Sequence, residues 1–323
     1  MQTIELTVAV EGIAGLDQAL TMAATVFVPE SPLPSCPAVF AFPGGGYSRC
    51  YFDLRIGDGT AYSQAQHHTD GGVVLVAIDH LCTGDSSSPV DPLAVTLEQL
   101  AEANAIAAGA ITRRIETGSL GVDAPPIRLS GSVGIGQSMG GCILTVQQGR
   151  WATFDAVAFL GWSGRHTAFP DPSGGSLAIA VPGRGDDLRT AALPTMFTSE
   201  QFRYCFHYDD VPAAVVAADL GESEGGDWRS SGAPPCAITM LAPGVVAGEA
   251  AAIRAPVLVA CGERDVVPDP HAEPAAYPLS SDVTLTITPR MSHMHNFAGT
   301  REQLWDRLLS WVNTVVPGVD FAG

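Results

Sequence analysis

The sequence predicts an α/β fold, a mostly parallel sheet flanked by helices with a largely helical cap inserted late in the chain. Three observations predict it. Short apolar runs bounded by Gly and Pro alternate with stretches of helical spacing, the pattern of strands joined by crossover helices. The pentapeptide Gly136-Gln137-Ser138-Met139-Gly140 joins one such run to one such stretch. Between about residues 163 and 253 the alternation stops, and a structureless loop of that length is implausible inside a compact domain. The expected division is a core of 1–162 and 254–323 and a cap of 163–253, with a small independent domain as the alternative reading of the insertion.

In order along the chain, the first quarter reads as three strands, 5–10, 22–28 and 38–42, each short, largely apolar and followed closely by Pro or Gly. The run GVVLVAID over 72–79 is nearly continuous in apolar residues, as a strand covered on both faces must be. Over 91–116, Leu93, Leu97, Leu100 and Ile106 recur at helical spacing among Ala and Glu, which predicts a covering helix. Strands at 127–135 and 154–160 bracket a helix over 138–148. Strands at 256–261 and 283–288 follow the insertion, and a helix over 301–312 comes last. The insertion carries Gly, Pro and Ser punctuation and an aromatic cluster of Phe197, Phe202, Tyr204, Phe206 and Tyr208.

The chain has 323 residues, 46% apolar and 15% charged, enough to bury a large core. Acidic residues outnumber basic ones by 34 to 16, and the formal charge of −18 repels phosphate backbones and anionic headgroups, so nucleic acid is not an expected partner. Every basic residue is Arg, which excludes Lys Schiff-base chemistry and a P-loop Lys. Seven scattered cysteines form no C-x-x-C pair, and the His67-His68-Asp70 group lacks further ligands at suitable spacing. No metal or other cofactor is therefore expected. The opening residues lack the basic start and apolar stretch of a secretory signal, and no run approaches the roughly 20 apolar residues of a membrane span. A soluble cytoplasmic protein is the expectation, with assembly into a homo-oligomer left open.

Placement gives Gly136-Gln137-Ser138-Met139-Gly140 its meaning. A turn from strand directly into helix is so tight that side chains two before and two after the Ser would collide, hence the glycines. The Ser is held in a strained conformation with its hydroxyl exposed at a helix N-terminus, where free N–H groups favour developing negative charge. Upstream, Phe42-Pro43-Gly44-Gly45-Gly46-Tyr47 closes the 38–42 strand with three consecutive glycines, so a bare backbone can approach a substrate oxygen. Gly45 and Gly46 are the candidate donors there, with Met139 completing an oxyanion hole. Downstream, Asp265 follows the apolar strand at 256–261, and His293 and His295 follow the strand at 283–288. The order Ser138, Asp265, His293 places nucleophile, acid and base on loops at one sheet edge.

With these residues in place, the chain resembles the α/β-hydrolase superfamily. PGGGY, the DHLCTGDSS segment, GQSMGG, GERD and the late His carry the resemblance over nearly all of the chain except the cap. Pro43 departs from it, standing where an HGGG-type loop has His. The resemblance implies a Ser-His-Asp mechanism on Ser138, His293 and Asp265, in which imidazole takes the hydroxyl proton and the carboxylate fixes the imidazole tautomer. His295 is the alternative base and otherwise either a residue supporting the catalytic groups from behind or a pocket residue. Asp171 is the alternative acid.

A Ser nucleophile excludes the Asp-based epoxide and halide chemistry that the resemblance otherwise allows. Hydrolysis of a carboxylic ester or lactone, as by a carboxylesterase, is the expected activity. Acyl transfer, thioester hydrolysis and carbon–carbon cleavage use the same machinery and stay open, and a non-catalytic receptor on the same fold is the contrasting class. Tyr47, Trp162, Phe202 and His295 are the expected substrate contacts. The aromatic cluster, with Trp162 and Trp228, either lines a pocket beneath the cap or forms the cap's own core. A small neutral, moderately hydrophobic ester or lactone is the expected substrate.

Overall fold

The structure is a computed structural model that describes residues 1–57, 59–121, 125–177, 179–191, 198–221 and 226–316. Its strands are β1 (Gln2–Val10), β2 (Leu20–Val28), β3 (Cys36–Phe42), β4 (Val74–Ile78), β5 (Leu129–Gln137), β6 (Ala156–Leu160), β7 (Val257–Arg264) and β8 (Val283–Ser292). They form one sheet in the order β1-β2-β4-β3-β5-β6-β7-β8. β1 and β2 pair antiparallel, β2 meets β4 antiparallel, and every later pairing from β4 to β8 is parallel. β3, β4 and β6 are buried along their whole length, which explains why they read as continuous apolar runs.

Seven α-helices lie among the described residues: α1 (Gln64–Asp70), α2 (Leu97–Thr117), α3 (Met139–Trp151), α4 (Ser199–Phe206), α5 (Ala213–Leu220), α6 (Ala247–Ala252) and α7 (Arg301–Val315). One face of the sheet packs Phe40, Phe42, Val76, Val157 and Phe159 under α2 and α3. The other packs Val39, Leu75, Ile135 and Leu258 under α7. α3 is apolar nearly all round because it sits between the sheet, α2 and α6.

The helix expected over 91–116 starts six residues later. Pro92 opens a separate 3₁₀ turn over Pro92–Ala94, and Thr96 then caps α2 in a capping box with Gln99. α1 contains the His67-His68 pair, in which His67 Nε2 lies 3.0 Å from Asp306 and His68 Nδ1 lies 3.0 Å from the Gln64 carbonyl. Among the described residues no group of three metal-ligating side chains exists, and no helix is long and apolar enough to cross a membrane. The seven cysteines are free, five of them buried.

The 163–253 segment contains α4, α5, α6 and a 3₁₀ stretch over Pro235–Leu241. Its parts have different neighbours. The end of α4 bonds to the turn after β8, where His293 N–H donates to the Cys205 carbonyl at 3.2 Å and Met294 N–H to the Phe206 carbonyl at 3.0 Å. Residues 228–230 run antiparallel to 46–48, with Ser48 N–H bonded to the Trp228 carbonyl and Ser230 N–H to the Gly46 carbonyl. α6 packs on α3 within the helical layer. Two strips of the insertion thus flank the loops that carry Gly45 and His293.

Candidate active site

Ser138 occupies the bend between β5 and α3 with φ +52° and ψ −117°, a conformation that an L side chain rarely adopts. The collisions expected at the flanking glycines are present. A Cβ at Gly136 would lie 2.5 Å from the Gly140 carbonyl oxygen, and one at Gly140 would overlap the Phe42 carbonyl. The bend is tied to the sheet by Ser138 N–H donating to the Leu160 carbonyl at 2.9 Å. Although Ser138 stands at the N-cap of α3, its side chain makes no capping bond, which leaves the hydroxyl for another partner.

That partner is His293, whose Nε2 lies 2.8 Å from Ser138 Oγ. On the other side of the ring, Nδ1 lies 2.8 Å from Asp265 Oδ1. The three side chains come from loops after β5, β7 and β8, all at the carboxyl edge of the parallel sheet. Gly161, just after β6, makes room for them: a Cβ there would lie 2.9 Å from His293 Nδ1 and 3.0 Å from Asp265 Oδ1. Asp265 and both imidazoles are buried. Burial by itself raises the Asp265 pKa, but the charge of His295 and the hydrogen bonds of His293 and His295 outweigh it and hold the carboxyl well below the usual carboxylate range.

The turn bearing the imidazoles is anchored on both flanks. Gln137 Nε2 donates to the His293 carbonyl at 3.0 Å. Asn296 bonds to both the hydroxyl and the carbonyl of Tyr51, to Gln64 and to the Trp305 indole N–H. Aromatic rings close over this imidazole: Phe206 meets His293 edge-on at 5.2 Å between centroids, and Phe202 stacks on Phe206 at 4.0 Å.

The glycine loop runs alongside Ser138. A Cβ on Gly44 would overlap Gln137 Oε1 and lie 3.2 Å from Ser138 Cβ. One on Gly45 would lie 3.6 Å from Met139 Sδ and 3.9 Å from Met139 Cβ. The structure therefore brings Gly45 and Met139 together. Gly46 has Arg229 Nη1 as its nearest such neighbour, at 3.8 Å, and its carbonyl accepts from Ser230.

With Pro43 where the resemblance has His, the loop takes its brace from β4's end. His80 Nε2–H donates to the Pro43 carbonyl at 3.1 Å, and Asn104 Nδ2 of α2 lies 3.1 Å from His80 Nδ1. Burial lowers the His80 pKa to about 4, so near neutral pH the ring carries one proton, the one given to Pro43. The ring also stacks on Phe42. Nothing in the local sequence links His80 to a loop 37 residues earlier.

Of the expected substrate contacts, Phe202 lines a cavity of about 510 Å³ with Ser199, Asp219, Leu220, Arg229 and Ser230. Tyr47 is buried, with its hydroxyl donating to Asp219 Oδ2 at 2.8 Å and Arg229 stacked over its ring at 4.2 Å. Its hydroxyl is thus spent on the protein. Trp162 is not in the pocket: it packs on Gly141 beneath α3 and donates to Thr145 Oγ1 at 3.1 Å, because it turns to the sheet's α3 face. Nor is His295, a buried ring bonded through Nε2 to Asp265 Oδ2 at 2.7 Å.

Tyr204 and Tyr208 hold Arg264 between them, and Trp228 donates to Asp219. Phe197 lies outside the described residues. Asp171 sits in an exposed turn, bonded to Ser173. Phe206, Gly161, Gln137 and Asn104 are site residues that sequence reading missed as such. Only Phe206 had a signal, as a member of the aromatic cluster.

No protein-family model matches this chain, and no curated protein matches it in sequence. Solved structures do match in shape. A carboxyl esterase from Bacillus coagulans superposes with a TM-score of 0.64 at 14% identity, covering 97% of this chain and 99% of the other. A bromoperoxidase from Bacillus anthracis does so at 0.59 and 13%, covering 92% and 96%. An N-acyl homoserine lactonase does so at 0.57 and 14%, covering 99% and 100%. This chain has the α/β-hydrolase fold.

Proposed function

We propose that the protein is a serine hydrolase that cleaves carboxylic esters or lactones through an acyl-enzyme on Ser138. The observation that carries this reading is the continuous chain from Ser138 Oγ through His293 to Asp265, with both contacts at 2.8 Å. In the forward step Ser138 Oγ attacks the acyl carbon while its proton passes to His293 Nε2. Asp265 stabilises the resulting imidazolium and holds the ring in the tautomer that leaves Nε2 free to accept. Charge gathers on the former carbonyl oxygen, where the Gly45 and Met139 N–H groups form the oxyanion hole. His293 returns the proton to the departing alkoxide, and a water activated by the same imidazole then releases the acid.

The 163–253 segment is assigned as a cap, supported by its two strips along the Gly45 and His293 loops and by the 9% exposure of Ser138. A small neutral, moderately hydrophobic substrate fits the cavity beside Phe202. The one cation among its described lining residues, Arg229, is offset by Asp219 at 3.2 Å, and Phe202 and Phe206 form an apolar path from the cavity towards His293. Similarity to esterase and lactonase structures supports the same class at the level of fold.

A fluorophosphonate probe should label the wild type and not Ser138→Ala. A panel of short and long p-nitrophenyl esters, lactones, thioesters and vinylogous diketones then ranks the substrates, with ester or lactone turnover expected to dominate. Absence of labelling in folded protein, or turnover that survives in Ser138→Ala, would refute the assignment.

A further inference from the structure

We propose that His295 is a positioning residue for Asp265: it holds the carboxylate oxygen that His293 does not use, and so fixes the carboxylate's orientation and shares its charge. The inference rests on the catalytic reading of Ser138, His293 and Asp265.

Each oxygen of Asp265 receives one imidazole N–H and one backbone N–H. Oδ1 takes His293 Nδ1 and Val266 N, both at 2.8 Å. Oδ2 takes His295 Nε2 at 2.7 Å and Gly262 N at 2.8 Å. Four donors occupy the lone-pair directions of one buried carboxylate. The side chain cannot rotate without giving up its bond to His293 or its bond to His295.

His295 has no competing use among the described residues. Its ring is buried, so it does not reach a substrate, and its Nδ1 has no hydrogen-bond partner. An N–H on Nε2 therefore has Asp265 as its acceptor, while Nδ1 faces none. The backbone gives the pair its geometry. His293 directly follows β8, the 3₁₀ turn His295–Phe297 begins two residues later, and both rings converge on one side chain after β7.

Charge sharing has a definite sign. A carboxylate that donates electron density to two imidazoles stabilises a proton on either one less than it would alone. Removing the His295 donor concentrates the negative charge on His293, so the base holds a proton more tightly and its neutral form is lost at higher pH. The other titratable groups around Asp265 do not compete: burial raises the pKa of the Cys261 thiol on β7 and of the Tyr51 hydroxyl in the Arg49–Asp53 turn, leaving both neutral in the working range. Arg264, next along the chain, is directed to Ser292, Asp209 and the His207 carbonyl.

The test compares the wild type with His295→Phe, which keeps a ring but loses the donor, and with His295→Gln, which keeps an N–H. kcat and KM for a p-nitrophenyl ester are measured from pH 5 to 9, and downfield imidazole N–H protons are followed by NMR. In His295→Phe, kcat should fall about tenfold with KM little changed, and the acid limb should move up by roughly half to one pH unit. His295→Gln should return both towards wild type. The wild type should show two downfield ring N–H signals, one of which His295→Phe lacks.

An unmoved acid limb in His295→Phe, a Gln variant as impaired as Phe, or a single signal in the wild type would overturn the proposal. His295→Ala replaces the Phe variant if the latter does not fold. If the wild type neither reacts with fluorophosphonate nor turns over any ester, the catalytic reading fails, while the NMR signals still decide whether His295 holds Asp265.

Discussion

Replacing His80 with Phe keeps the ring that stacks on Phe42 and removes only its polar atoms. Two buried partners are then abandoned: the Pro43 carbonyl loses its 3.1 Å donor, and Asn104 loses its contact with His80 Nδ1. An unsatisfied buried polar group costs about 1–3 kcal/mol, so the pair predicts a stability loss of about 2–6 kcal/mol. The catalytic effect follows from covalent geometry. The Pro43 carbonyl and the Gly44 N–H belong to one rigid peptide plane, so releasing the oxygen lets the start of the glycine loop turn away from Met139. Complete loss of an oxyanion donor costs about 10²–10³ in kcat. A displaced loop should lose part of that, roughly 10- to 100-fold, with KM within about twofold. Steady-state kinetics on a p-nitrophenyl ester and urea unfolding measure the two effects separately. Asn104→Ala, which leaves the His80–Pro43 bond in place, should lower kcat less. A His80→Phe enzyme that unfolds at lower urea yet keeps its wild-type kcat would refute the reasoning, because the brace would then serve the fold alone.

Three further outcomes follow from the same contacts. His293→Ala should abolish ester turnover, whereas His295→Ala should keep a measurable part of it, as judged by kcat/KM; the reverse ranking would mean that the wrong imidazole has been taken as the base. Gly161→Ala should lower kcat by at least about tenfold while the protein stays folded by circular dichroism, because the new methyl wedges against His293 Nδ1 and Asp265 Oδ1 at a position with φ +57°. Burial holds His68 and His80 at a pKa of about 4, below the roughly 6.5 of an unfolded His, so the unfolded chain binds more protons between these values. Their contribution is fully present above pH 6.5 and is lost as pH falls towards 4, at about 2 kcal/mol each between pH 7 and 5. Urea midpoints at the two pH values read this loss, and His68→Phe should remove about half of it.

Much of the fold was legible because its constraints are local. A strand buried on both faces has to be apolar at every position, so β4 is visible in GVVLVAID and β7 in PVLVAC. The start of α2 was misplaced because Leu93 fits the helical spacing, while Pro92 closes a separate turn and the capping box of Thr96 and Gln99 sets the true boundary. Trp162 was misassigned for a different reason. An aromatic residue just after a strand can turn to either face of the sheet, and the gap left by Gly141 on α3 draws this one inward.

The sequence by itself determined the Ser138 bend, since the glycines at 136 and 140 answer collisions between atoms close in the chain or directly across the neighbouring strand end. It also determined that Asp265 and His293 would follow strands at the same edge, because parallel strands all deliver their next residues to one side. Only the tertiary structure decided which imidazole meets Ser138, that the second one meets Asp265, and that His80 supports the loop after β3. Those choices depend on contacts between segments far apart in the chain, and no periodicity or spacing within one segment encodes the direction in which a side chain turns once those segments meet.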